Sequence, residues 1–392
     1  MKATLIALAA AGFVSGANMR LFDALLPTVA DDFGVVPTVA SVVVTAFALA
    51  YGLFQLVHGP LGDRVGKLKI VAGATFIAAA MSLATVFVTS LTGLAVLRFL
   101  TGIGAGGMIP LALAWIGDNT PYEKRQTTLA RFLGVVLLGN ILGPAMGGLL
   151  AELLSWRAVF AVFSLLFLSV GIVLVVQQRR SPAPPPAGEP RPGVVRSYID
   201  VLRDPWVRTV LATVAIEGAL FYGAFAYTGA FLKAKFDLAY STIGAIIAAF
   251  GVGGVLYSLA VRWLVRRLGE AGLVIGGGFI LLACYLLLPW LPAWQPIALV
   301  LARRGIGLYM VHNTIHTRST EMAPKARGTA LALHAFFMFS GQALGVLICG
   351  VLIRVLNYEW TYVLAGLGLA ALGVIFRRRI LRHAEQARLD RA

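Results

Sequence analysis

At 392 residues, with 59% hydrophobic and only 13% charged side chains, the chain lacks the charge that covers a soluble surface, where about a quarter of residues are charged. Lipid must therefore solvate most of it. The net charge of +16 does not point to nucleic acid, because the Lys and Arg sit in short clusters between apolar runs, as in cytoplasmic loops.

Spanning a bilayer takes about 20 residues of helix. Twelve apolar runs of that kind follow one another: 4–27, 40–60, 70–89, 93–116, 128–150, 157–177, 207–232, 239–263, 271–290, 295–317, 328–352 and 359–376. The first follows Met1-Lys2 and reaches Pro27 with no clear cleavage site, so it reads as a span and not as a signal peptide. With the N-terminus inside, alternate loops collect Arg64, Lys67 and Lys69, then Lys124 and Arg125, then Arg179 to Arg208, Arg262 to Arg267, Arg318 to Arg327 and the Arg377-Arg378-Arg379 tail. Only Arg157, Lys233, Lys235 and Arg354 fall on the other side. The excess of basic residues places both termini in the cytoplasm. The gap at 178–206 is rich in Pro and Arg and reads as a solvated, semi-rigid linker. It separates six helices from six. Gly102-Ile103-Gly104 recurs as Gly305-Ile306-Gly307, and Pro121 recurs at the same offset as Pro324. Two such repeats around a midplane site suit alternating access.

Polar residues inside the spans are the candidate functional groups. The first span carries Asn18, Arg20 and Asp23. The fourth carries Arg98 near the same depth as Asp23, so the two are expected to face one outer cavity, with Asp23 exchanging protons. Arg20 competes as the partner of Asp23 by its i,i+3 spacing. The seventh span carries Glu217, followed by Phe221, Tyr222 and Phe225. Helical spacing puts Phe221 and Phe225 on the face of Glu217, with Tyr222 beside them, as a substrate wall. The tenth holds Arg303, Arg304, Tyr309, His312, Asn313 and His316. His312 and His316 could share a metal, but no carboxylate or Cys is spaced to complete a site. Further cavity candidates are Gln55, Asn140, His334 and Phe337. Cys284 and Cys349 lie in apolar runs and read as small buried hydrophobes. Arg20, Arg98, Arg303 and Arg304 against Asp23 and Glu217 leave a positive surplus, which favours anionic or neutral amphiphilic cargo.

Three segments carry a family resemblance. The loop after the second span reads Gly59-Pro60-Leu61-Gly62-Asp63-Arg64-Val65-Gly66-Lys67. The fourth span holds Arg98 followed by Gly102, Gly104, Gly106 and Gly107. The fifth holds Gly139, Gly143, Pro144, Gly147 and Gly148 in the pattern Gly-x3-Gly-Pro-x2-Gly-Gly. The chain resembles the major facilitator superfamily, and within it the twelve-helix drug:proton antiporter-type exporters. The resemblance implies an all-α membrane protein with two pseudo-symmetric six-helix bundles at 1–177 and 207–376, the linker 178–206, and a basic cytoplasmic tail at 377–392. It implies that Gly59, Asp63, Arg64, Gly66 and Lys67 form a conformational latch, that Arg98 is tied to proton exchange, and that the Gly139–Gly148 pattern marks export. The copy at Arg262 to Gly269 keeps the basic residues without an acidic partner, so the latch is expected from the first half alone. Asp23, Arg98 and Glu217 are the expected proton-coupling set.

Secondary transport driven by the proton gradient is therefore expected, with no cofactor and no metal. The expected partners are a small organic substrate, protons and the lipid bilayer, without nucleic acid, and the expected unit is a monomer in the inner (cytoplasmic) membrane of a bacterium. Proton-coupled uptake of a metabolite, sugar or organic acid is the competing reading, and a membrane sensor or scaffold a remote one. No metalloprotease motif, nucleophile elbow or Walker loop is present in the sequence, which argues against an enzyme or an ATP-driven pump.

Overall fold

The structure, a computed structural model, describes residues 2–180 and 194–389. Those residues are helical almost throughout. The first span is α1 (Lys2–Arg20) and α2 (Phe22–Asp32), broken at Leu21. A short α3 (Pro37–Ala40) leads into α4 (Val42–Val65), followed by α5 (Lys67–Val86), α6 (Leu91–Asn119), α7 (Tyr122–Leu153) and α8 (Trp156–Arg180). The second set opens with α9 (Val194–Leu202). A broken span comes next, made of α10 (Pro205–Glu217), a π turn at Gly218–Tyr222, α11 (Gly223–Phe225) and α12 (Thr228–Phe236). It ends with α13 (Tyr240–Leu287), α14 (Gln295–Glu321), α15 (Arg327–Leu356) and α16 (Tyr358–Leu389).

Ten helical stretches are long and apolar enough to cross a membrane. One of them, Tyr240–Trp290, is 51 residues long and reverses at Gly269, whose φ of 61° only glycine adopts without strain. It therefore supplies two crossings. α14 is long enough but carries Arg303, Arg304, His312 and His316, which lower its hydropathy. Counted with it, the expected twelve crossings are present. α2 continues past Pro27, the predicted end of the first span, and α16 continues the last span into the basic tail.

The two halves repeat at the level of backbone contacts. Gly102 packs on the carbonyl of Phe47 and Gly104 on that of Ala74. At one common offset, Gly305 packs on the carbonyl of Phe250 and Gly307 on that of Gly277. Gly139 and Gly143 of α7 pack on the carbonyls of Phe13 and Ala17, and their counterparts Gly341 and Gly345 pack on those of Ala215 and Ala219. Small residues let helices approach this closely. Gly66 and Gly269, at the offset of Gly102 and Gly305, both have positive φ and turn the chain between neighbouring spans.

The halves meet along two seams, α4 against α15 and α7 against α13. At the end away from the basic loops they are joined by hydrogen bonds. Tyr240 donates its hydroxyl to Asp31 Oδ2 at 2.9 Å, the Ser241 amide donates to Glu152 Oε2 at 2.8 Å, and the Tyr227 hydroxyl lies 2.8 Å from Ser41 Oγ. Apolar side chains such as Leu49, Leu83, Leu165, Leu259, Leu347 and Val355 are exposed on the outside of the bundle, as lipid contact requires.

The linker differs from expectation where it is described. Six of its prolines, within 181–193, lie outside the described residues, and Pro205 opens α10, but α9 is an ordered helix. Tyr198 of α9 donates its hydroxyl to the Leu56 carbonyl of α4 at 3.0 Å, and Ser197 meets Thr329 of α15. The Leu56 carbonyl is available because its helical partner four residues on is Pro60, which has no N–H.

Candidate functional site

Between the halves lies a cavity of about 190 Å³. α1 and α2 contribute Met19, Arg20 and Asp23, and α7 contributes Leu137, Asn140 and Pro144. The second half contributes Tyr222, Phe225, Ile247, Phe250, Gly251, Leu308, Tyr309, His312, Met338 and Phe339. It is a mostly apolar and aromatic chamber with a few convergent polar groups, the form typical of a small-molecule site.

Its polar centre is an ion pair of the first half whose arginine stacks on a tyrosine of the second. Arg20 Nη1 lies 3.8 Å from Asp23 Oδ2, and the guanidinium sits over the Tyr222 ring at 4.3 Å from its centroid. Asp23 Oδ2 has no hydrogen-bond partner. Pro27, inside α2, has no N–H to give the Asp23 carbonyl four residues back, so the helical ladder carries a gap at Asp23. Across the chamber, His312 Nδ1 lies 2.9 Å from Glu217 Oε2, and Glu217 is fully enclosed. Glu217 thus reaches the cavity through His312.

Arg98 does not reach it. The expected shared cavity with Asp23 is replaced by a closed cage in which Arg98 donates to Asn18 Oδ1 at 2.9 Å and its guanidinium lies over Phe47 at 4.1 Å and Phe22 at 4.9 Å. Among the described residues no carboxylate lies within ion-pair distance of it. Aromatic faces and an amide oxygen therefore hold this charge. Arg304 is caged in the same way, donating to the Tyr285 hydroxyl at 2.7 Å and lying over Phe221, Phe225 and Tyr285, while Arg303 is exposed. Of the four arginines expected as cavity charges, only Arg20 lines the chamber, and Asp23 offsets it. The expected positive surplus is absent from the cavity.

Of the other expected lining residues, Asn140, Tyr222, Phe225, Tyr309 and His312 are in place. Asn18, Gln55, Phe221, Arg304, Asn313, His334 and Phe337 are not among the lining residues. Helical spacing alone would set Phe221 beside Phe225 on the face of Glu217. The π turn inserts one residue there and rotates the residues after it by about 100°, so Tyr222 takes the lining place and Phe221 packs behind it against Tyr285. Phe250, Met338 and Phe339 escaped sequence reasoning because nothing polar marks their faces. Phe250 had one signal, its place as the repeat counterpart of Phe47.

The two loop motifs also take definite places. Lys67 pairs with Asp63 at 3.5 Å and with Asp118 at the end of α6, so these ties stay within the first half. Gly59 and Arg64 are exposed beside them. The expected absence of an acidic residue in the second copy is corrected by Glu270, one position past Gly269, which pairs with Arg318 at 2.5 Å. In the fifth-span pattern Gly139, Gly143 and Gly147 face the first span, whereas Pro144 and Gly148 face Gly244 and Tyr240 across the seam. Among the described residues no group of His, Cys, Asp and Glu is arranged to hold a metal ion.

The sequence profile of the Major Facilitator Superfamily matches residues 8–341, and the chain belongs to that family. It is a multi-pass membrane transporter and not an enzyme. It is 28% identical to an uncharacterized MFS-type transporter, YceJ, of Bacillus subtilis over 87% of this chain and 86% of that one. It is 24% identical to Multidrug resistance protein 1 of the same organism over 89% and 90%. The Multidrug export protein EmrB of Escherichia coli matches at 31% over 44% of this chain and 33% of that protein. A bacterial homolog of the human lysosomal transporter Spinster, solved inward-facing and occupied, superposes with a TM-score of 0.74 at 18% identity, covering 97% and 96%. That likeness concerns the fold.

Proposed function

We propose that this transporter exports a small neutral amphiphile in exchange for protons, by alternating access of the central cavity. The observation that carries the reading is the pairing of two intramembrane carboxylates with basic partners on opposite walls of one chamber, Asp23 with Arg20 and Glu217 with His312. Such groups persist in a membrane interior where they serve ion or substrate movement. Because Arg20 and Asp23 offset each other and the remaining wall is aromatic and aliphatic, the chamber favours cargo without net charge over anions. The Gly139–Gly148 pattern, which resembles that of exporters, supports the export direction, as do the relatives named for multidrug resistance and export.

In this reading both termini are cytoplasmic, the end sealed by Asp31, Glu152 and Tyr240 is the outer one, and the protein works as a monomer. The loop at 59–67 serves as the conformational latch. The purified protein in liposomes, with an imposed pH gradient, tests it. Neutral amphiphiles should move against the proton flux, and cargo moving with the protons would establish uptake instead.

A further inference from the structure

Beside the cavity lies a cluster of titratable groups that the cavity does not account for. Glu217 of α10 bonds His312 of α14 through Oε2, and its Oε1 has no partner. The His312 ring lies 5.7 Å from that of His334 on α15 and 6.3 Å from that of His316, and His316 and His334 are 5.1 Å apart. Glu217 and His334 are buried, His312 lines the cavity, and His316 is exposed. α14 runs from the cavity at His312 towards the basic-loop end at Glu321. The four side chains therefore lead from an enclosed acid to an accessible imidazole at that end.

One hydrogen-bonding arrangement leaves Nε2 as the working nitrogen of His334. Ser319 Oγ is 3.0 Å from the Ile315 carbonyl and 2.7 Å from His334 Nδ1. In the tautomer that carries its proton on Nδ1, His334 donates to Ser319 Oγ, and the single Ser319 proton goes to the Ile315 carbonyl. Nε2 is left as a bare lone pair, and it has no partner in the structure although the side chain is buried. A buried, unsatisfied ring nitrogen is costly, and the His334 ring centroid lies 5.7 Å and 5.1 Å from those of His312 and His316, separations on the scale that one bridging water spans.

We propose that Glu217, His312, His334 and His316 form a proton relay joining the cavity to the basic-loop end of the second half. The proposal rests on the proton-coupled reading and assigns its second-half route. The protonated Glu217 carboxyl gives its proton to His312 Nδ1, leaving a carboxylate and an imidazolium. The imidazolium releases its Nε2 proton through a bridging water to His334 Nε2. His334 passes one proton on through water to His316, which releases it to solvent. One proton moves per passage and no electrons do. Arg20, Asp23, Tyr222 and Tyr309 face His312 across the cavity. Ser319 and Thr314 lie on α14 itself, and Asn313 meets Tyr257 of α13.

The test uses the full-length protein in phospholipid vesicles, with the proton itself as probe. A drop from about pH 8 to about pH 5, across the histidine range, is followed by time-resolved infrared absorption of the protonated carboxyl. Wild type should gain a band that Glu217→Gln lacks. His316→Asn and His334→Asn should each slow its appearance by about tenfold or more while keeping its final size, since loss of a positioned transfer group costs at least that much. Ser319→Ala, which removes the acceptor for His334 Nδ1, should also slow it, and it serves where the His334 variant does not fold. Absence of the band in wild type, or unchanged rates in the His316, His334 and Ser319 variants, overturns the relay. Vesicles that still export cargo against a pH gradient in that case keep the export reading. A relay with these kinetics in a protein that moves no cargo keeps the relay and removes export.

Discussion

Glu270 and Arg318, 2.5 Å apart, tie the helix after Gly269 to the end of α14 just as Lys67 ties α5 to Asp118 at the end of α6, with the charges exchanged. Lys67 and Glu270 each follow the positive-φ glycine of their half, Gly66 and Gly269. The second half thus keeps the tether of the signature loop in mirror polarity. Each single change, Glu270→Ala or Arg318→Ala, should cost about 0.5–1 kcal/mol, as for partly exposed pairs. The exchange Glu270→Arg with Arg318→Glu should recover most of it. Thermal unfolding of the four purified proteins decides, and a double variant no better than the singles removes the tether.

The fifth-span pattern divides into a packing part and a seam part. Gly143→Val places a branched side chain against the Ala17 backbone within the first half, and overpacking of this kind costs about 1–3 kcal/mol. Gly148→Ala acts on the contact with Tyr240 between halves. Its Cβ would clash with the Tyr240 carbonyl, so it should push the seam apart, lower the transport rate, and cost less stability than Gly143→Val because two halves can part where one bundle cannot. Equal loss of stability in both variants would show that the whole pattern only packs.

Asn18→Ala should cost about 1–3 kcal/mol, the usual cost of leaving a buried polar group without its partner, because Asn18 accepts from the enclosed Arg98. Both lie off the cavity, so the cargo concentration for half-maximal transport should stay unchanged in whatever protein folds. A large shift in that concentration would place Arg98 in contact with cargo.

Asp23→Asn should abolish transport driven by a pH gradient while cargo exchange between equal pH values continues, since the amide cannot carry a proton. Flux measurements in liposomes separate the two. Undiminished gradient-driven export removes Asp23 from coupling.

Tyr198→Phe should leave the Leu56 carbonyl without a donor, at a cost of about 1 kcal/mol, and loosen α9. Arg196 and Arg203 flank the contact and are exposed, so trypsin should cut there faster than in wild type. Unchanged cleavage would mean that Ser197 and Thr329 suffice to hold the helix.

Much of this was legible in the sequence. Apolar run lengths gave the crossings, and the Gly102–Gly104 repeat gave the offset that Phe47 and Phe250 obey in space. What hydropathy could not give was the aim of individual side chains. Arg98 and Asp23 match in depth, but rotation about each helix sends Arg98 into an aromatic cage. Phe221 lost its place to Tyr222 through a π turn with no sequence signature. α9 was hidden because its partner, a carbonyl freed by Pro60, is 142 residues away.

That π turn, at Gly218–Tyr222, bears on how the halves came to differ. The offset between matching positions is shorter by one at Ala17 and Ala219 than at Phe47 and Phe250, and a single extra residue is what a helix absorbs in one π turn. A one-residue insertion in an ancestral duplicate would leave the glycine contacts of the next spans in step while turning the seventh span's inner face away from that of the first. The offset falls back by one only at Gly139 and Gly341, beyond the loops at Pro121 and Pro324. An asymmetry of this sort needs no new helix, loop or charge, and it makes the Gly218–Tyr222 turn the point at which the inner faces of the first and seventh spans part.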